Sequence, residues 1–107
     1  MPETFYYQGK LNFVWDEDKN KGNIKKHGIS FETATLVFND TYRIDYFDEE
    51  NSADEDRYNV IGLVGNVIFV VYSERVIDGG DHIRIITARP AYGWEISAYN
   101  DNVMGRF

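Results

Sequence analysis

The sequence predicts an α+β domain in which an antiparallel β-sheet meander packs against helices on one face. Three features carry that expectation. The apolar pattern changes from helical spacing before residue 39 to strict alternation from Tyr42 onward. Two apolar runs, 57–64 and 67–73, are parted only by Gly65 and Asn66, a pair suited to the positive φ angles of a tight hairpin. Helix-ending residues bracket 17–27, with Asp16 before it and Gly28 after.

Taken in order, residues 11–15 (LNFVW) form the first expected strand, which stops at Asp16. Asp16 is a good N-cap, Glu17 and Asp18 complement the positive end of a helix dipole, and Gly28 closes a helix over 17–27. That helix has Ile24 as its one clearly apolar residue, so it presents most of its circumference to solvent or a ligand. Ser30 caps a second helix over 31–38, which is ordinary core. Tyr42, Ile44 and Tyr46 then mark one side of a strand whose outgoing loop is acidic. Strands over 57–64 and 67–73 follow, then a looser loop over 76–81, a strand over 82–88, and a last helix opened by Pro90 and running to Tyr99 or Asn100. Gly93 weakens that helix by about 1 kcal/mol relative to Ala. The tail DNVMGRF is expected to fray.

The 107 residues make a single domain, 1–107, with no room for a second. The N-terminus lacks a basic-then-apolar leader pattern and the longest apolar run, 67–72, is far shorter than a membrane span, so a soluble cytoplasmic protein without membrane contact is expected. The absence of cysteine excludes disulfides, thiol nucleophiles and Cys-based zinc sites, and two histidines 55 positions apart do not suggest a metal centre.

Charge is unevenly placed. Residues 45–56 (DYFDEENSADED) hold seven of the eighteen acids and no Lys or Arg, and the remaining eleven acids balance the eleven bases. The net charge of −7 therefore belongs to one short stretch, and a basic site can coexist with it. Lys19, Lys21, Lys25 and Lys26 stand with His27 in KNKGNIKKH, either as a phosphate-contacting face or as a solvated one. His27 beside Gly28 is placed for helix capping or for acid–base work. Trp15 can stack on a base or lid the core, and His82 is expected at the surface. The acidic loop lacks the Gly and ligand spacing of a calcium site and is expected to be solvated and mobile. Arg57, Arg75, Arg84 and Arg89 lie on adjoining strands or just beyond. They either converge on phosphate, which suits the planar guanidinium fork, or pair with Asp40, Glu74, Asp81 and Glu95.

The segments 15–34, matching W-D-x-x-K-x-x-x-N-x-x-K-H-G-I-S-F-x-x-A, and 83–89, I-R-I-I-T-A-R, resemble the BrnT family of type II toxin–antitoxin systems, with order and spacing held across nearly the whole chain. The resemblance implies a RelE-like ribonuclease toxin of order β-α-α-β-β-β-α. It also implies a small antitoxin that neutralises the toxin and carries a ribbon-helix-helix region, through which alone the pair meets operator DNA. One departure is clear: family members commonly carry Arg after the Glu that is Glu95 here, where this chain has Ile96 and Ser97.

Cofactor-free RNA cleavage needs a base for the 2′-hydroxyl, cations for the charge on phosphorus and an acid for the leaving oxygen. His27 or Glu95 is the expected base and Lys26 a phosphate holder. Arg57, Arg75, Arg84 and Arg89 are the expected charge stabilisers, and Tyr99 or a lysine the acid. Lys19, Lys21, Lys25 and Trp15 are the expected RNA contacts. Attack by the 2′-hydroxyl is internal, so a cyclic phosphate product and no metal or other cofactor are expected. Two other classes stay open: a degenerate binding module that holds an antitoxin or nucleic acid without cleavage, and a metal-dependent nuclease using the acidic loop.

Overall fold

A computed structural model describes residues 2–105 and confirms the α+β class, with six strands in one sheet and three α-helices among the described residues. The elements are β1 (Glu3–Gln8), β2 (Leu11–Asp16), α1 (Glu17–His27), α2 (Phe31–Thr35), a 3-10 turn (Leu36–Asn39), β3 (Ile44–Phe47), β4 (Arg57–Val64), β5 (Asn66–Ile77), β6 (Gly80–Pro90) and α3 (Gly93–Met104). The spatial order is β1-β2-β6-β5-β4-β3. The order β-α-α-β-β-β-α is therefore too short by one strand at the start and one in the meander.

Local signals hold where they were strong. Asp16 caps α1 by accepting from the backbone N–H of Asp18 at 2.9 Å, and Gly28 ends the helix in the left-handed region at φ 72°. Gly65, at φ 72°, turns the β4–β5 hairpin, with Asn66 already in the strand. Other bounds move. Residues 36–38 tighten into the 3-10 turn instead of continuing α2. The expected loose loop at 76–81 is a two-residue turn, Asp78–Gly79, with φ 50° and 78° and Ile77 paired to Gly80. Pro90 is the last residue of β6 and does not open a helix. The Glu95 carboxylate accepts from the Tyr92 N–H at 2.7 Å and starts α3 later, and the helix runs through Asp101 to Met104, where fraying was expected. The rest of that tail, residues 106–107, lies outside the described residues.

The sheet is not antiparallel throughout. β2 and β6 run parallel, pairing Phe13 with Ile83 and Val14 with Arg84. A parallel neighbour needs a long crossover, and α1, α2 and the β3–β5 hairpins supply it. Nor are the helices on one face. Val60, Ile68 and Val70 join Phe13, Trp15, Phe31, Ala34 and Val37 in one core, whereas Ile61, Phe69 and Val71 join Tyr99 and Val103 of α3 in another. Alternation along a strand sends these sets to opposite faces, so α1 and α2 cover the back of the sheet and α3 covers part of the front. Burying Phe13, Trp15 or Phe31 completely contributes roughly 1.5–3 kcal/mol each, which makes the back core the main source of stability. Gly62 lets the 3-10 turn approach β4, since a Cβ there would meet Val37 Cγ2 at 2.6 Å.

Candidate functional site

The front face beyond α3 is built by register. Arg57 on β4 faces Ser73 on β5, Ser73 faces Arg84 on β6, and Arg84 faces Val14 on β2, so these residues share one row and one face. Arg75, two residues beyond Ser73, faces His82. The three arginine side chains converge on a carboxylate from the acidic loop. Glu55 lies 3.4 Å from Arg75, 3.5 Å from Arg84 and 4.0 Å from Arg57. Ser73 is buried beneath them with its Oγ lacking a hydrogen-bond partner. Three cations therefore share this one carboxylate. These pairs are partly solvated, and solvated pairs are worth about 0–1 kcal/mol each, whereas phosphate offers guanidinium groups more and stronger contacts than a carboxylate does.

The acidic stretch is thus not simply solvated. Asp45 pairs with Arg43 at 3.2 Å and accepts the Tyr72 hydroxyl at 3.1 Å, and Asp48 accepts from the Asn51 side chain at 3.0 Å. Ser52 ties the loop to β4 by accepting the Arg57 N–H at 3.0 Å, which brings Glu55 over the sheet. Among the described residues no three His, Cys, Asp or Glu side chains form a group able to hold a metal ion. None of the described helices is long and apolar enough to cross a membrane.

The fourth arginine stands apart. Arg89 forms two parallel hydrogen bonds with Glu95, at 2.8 and 2.9 Å, and its guanidinium lies between the rings of Phe69, at 4.0 Å, and Tyr92, at 3.7 Å. Glu95 is fully buried. Both of its oxygens are engaged by Arg89 and one also accepts from Tyr92, so the pairing reading describes this couple: it clamps the start of α3 to β6. Tyr99 is buried and donates to Asp40 at 2.6 Å. Burial first, then this hydrogen bond, push its pKa up to about 12. Asp40 also accepts from the N–H groups of Leu63 and Tyr42. Burial opposes its charge, but these bonds and Arg43 prevail and hold its pKa below the ordinary value.

Trp15 is not available for stacking on RNA: it is wholly buried, packs against Tyr6 and Phe31, and donates from Nε1 to Glu17 at 3.1 Å. Lys19, Lys21, Lys25 and Lys26 are exposed on α1, on the back of the sheet. His27 is half-buried in a groove with Ile29, Val64, Gly65 and Ile96 at the hairpin end of β4. Eight residues of strand, about 25 Å, separate that end from Arg57. The expected set therefore divides into an arginine end, a buried clamp and a distant lysine–histidine helix.

Several residues were missed. His82 belongs to the arginine end, and its Nδ1 lies 2.9 Å from the Gly80 carbonyl, an acceptor only, so Nδ1 donates there and in the neutral ring the lone pair is on Nε2. Lys10 lines one crevice with Arg75 and His82. Asn20 and Asn23, not apolar residues, anchor α1: Asn20 accepts the Phe31 N–H at 2.8 Å, and Asn23 bonds both the N–H and the C=O of Ala88, at 3.2 and 2.8 Å. β1 had a legible signal in its β-branched and aromatic ETFYYQ followed by Gly9. A family profile described as "ribonuclease toxin, BrnT, of type II toxin-antitoxin system" matches residues 15–95, a span that contains the arginine end and its Glu55. No curated protein matches the chain.

Proposed function

Because the chain belongs to the BrnT family of ribonuclease toxins of type II toxin–antitoxin systems, we propose that it is an endoribonuclease whose active site is the arginine end of the front face. The observation that carries this is the convergence of Arg57, Arg75 and Arg84, from three adjacent strands, on the single carboxylate of Glu55. Glu55 marks where an anion sits, and the scissile phosphate of RNA takes its place. The guanidinium groups then meet the charge that builds on the phosphate oxygens, a contribution of roughly 10²–10³ in rate for one well-placed donor. His82 Nε2 takes the proton of the 2′-hydroxyl, which attacks phosphorus. Lys10 protonates the departing 5′-oxygen. Acid–base groups of this kind contribute about 10²–10⁴. The product carries a 2′,3′-cyclic phosphate, and the step needs no metal.

In this proposal the fold is a RelE-like variant, the protein works in the cytoplasm, and a ribbon-helix-helix antitoxin neutralises it and alone brings it to operator DNA. Glu55 also favours a second reading, in which the arginines hold an acidic antitoxin side chain or a nucleic acid without cleavage. Incubating the protein with single-stranded RNA and a chelator separates the two. Cleavage with cyclic phosphate ends is expected. Activity lost to the chelator and restored by magnesium overturns the metal-free route, and no cleavage in either condition leaves the binding module.

A further inference from the structure

The row that carries Arg57, Ser73, Arg84 and Val14 does not end at β2. Val14 faces Phe5 and Asn12 faces Tyr7 on β1, so both aromatic side chains stand on the front face beside the arginine end. Their neighbour Tyr6 points the other way and packs at a tilt against Trp15, with ring centroids 5.4 Å apart, which fixes β1 from behind. Phe5 and Tyr7 have no such duty and are 56% and 67% exposed. Phe5 meets the His82 ring in a T-shaped contact, centroids 5.8 Å apart at 81°, and still keeps more than half of its surface exposed. Two exposed aromatics at i and i+2 on a sheet, with arginines and a histidine alongside, match the way single-stranded RNA is held: bases stack on rings while cations follow the phosphates.

We propose that Phe5 and Tyr7 form a base-stacking platform for single-stranded RNA whose phosphate occupies the arginine end. This rests on the ribonuclease reading and adds a substrate class, unpaired RNA, and a subsite outside the family-matched span of 15–95. Two strand spacings, about 10 Å, separate Phe5 from Arg84, so neighbouring parts of one strand reach both. Bases inside a duplex present no free faces to β1, and the platform discriminates against them. Cationic neighbours favour a polyanion over an apolar peptide as the occupant.

The test compares wild-type protein with Phe5→Leu/Tyr7→Leu and Phe5→Trp/Tyr7→Trp, using a labelled single-stranded oligoribonucleotide and its duplex in fluorescence anisotropy over a salt series. Leucine keeps apolar bulk on β1 but removes the ring, so folding, checked by thermal melting, is retained. The Leu pair is expected to weaken single-strand binding about ten-fold or more at an unchanged salt slope, with the Trp pair near wild type and duplex binding weak throughout. Equal single-strand affinity in the wild type and the Leu pair overturns the platform while leaving the ribonuclease reading intact. Wild-type protein that binds no RNA overturns both. A Leu pair that loses self-association or antitoxin capture while binding RNA normally also overturns it and makes β1 a protein-docking edge.

Discussion

The Glu55 carboxylate lies 3.5 Å from the Arg84 guanidinium, so the most acidic segment of the chain places one of its own side chains in the site best suited to phosphate. Removing that charge frees three arginines at once. Glu55→Gln is expected to raise affinity for single-stranded RNA roughly three- to twenty-fold, since partly solvated pairs contribute about 0–1 kcal/mol each, with a melting temperature close to wild type. Unchanged affinity in an anisotropy titration would show that Glu55 does not compete with RNA.

Arg84 and Arg89 are expected to respond differently to the same change. Arg84→Lys keeps charge but loses the planar fork, and cleavage should fall about ten-fold or more with little change in stability. Arg89→Lys breaks a paired contact to the buried Glu95 and should cost about 2–4 kcal/mol of stability, as read by denaturant melts. A stable but inactive Arg89→Lys variant would move Arg89 from the clamp to the chemistry.

Salt dependence separates the two cationic surfaces. Arg84→Gln should make the slope of log K against log salt shallower by about one, whereas Lys25→Gln with Lys26→Gln, on the back of the sheet, should leave it unchanged. A shallower slope in the lysine variant would place RNA on α1 as well.

Asp40 is expected to make stability fall in acid. Its folded pKa is depressed, so its contribution is complete above the unfolded value, near 3.9, and disappears as pH falls through the lower folded value. Asp40→Asn should cost about 1–3 kcal/mol at pH 7 and lose less than wild type between pH 5 and pH 2. Parallel acid-unfolding curves for the two proteins would remove Asp40 as the cause.

What was legible in the sequence was local. Asp16 and Gly28 act on groups within four residues of themselves, so α1 could be bounded without knowing the fold. Gly65 marked its hairpin for the same reason, and Asp78–Gly79 carried an equally plain turn signal. The convergence of arginines followed from strand adjacency, but which of them converge depends on register, and the partner of three came from a loop that composition alone marks as solvated. The parallel pairing of β2 with β6 joins residues about seventy apart, and no local pattern encodes it. His27 and the lysines looked like part of one site because they share a helix, yet the sheet puts that helix on its other face and His27 at the far end of β4 from Arg57.

The double hydrogen bond from Asn23 to the Ala88 backbone carries a consequence for the order of folding. It spans 65 residues, and beyond its two caps and the local Asn20–Phe31 bond α1 has little that stabilises it: eleven residues with one exposed isoleucine as its clearly apolar side chain. A helix that short is marginal in water on its own. α1 is therefore expected to become stable only once β6 is in place. A peptide spanning residues 15–34 should accordingly show little helical circular dichroism, while the intact protein folds slowly, with the closure of this long loop as its late step.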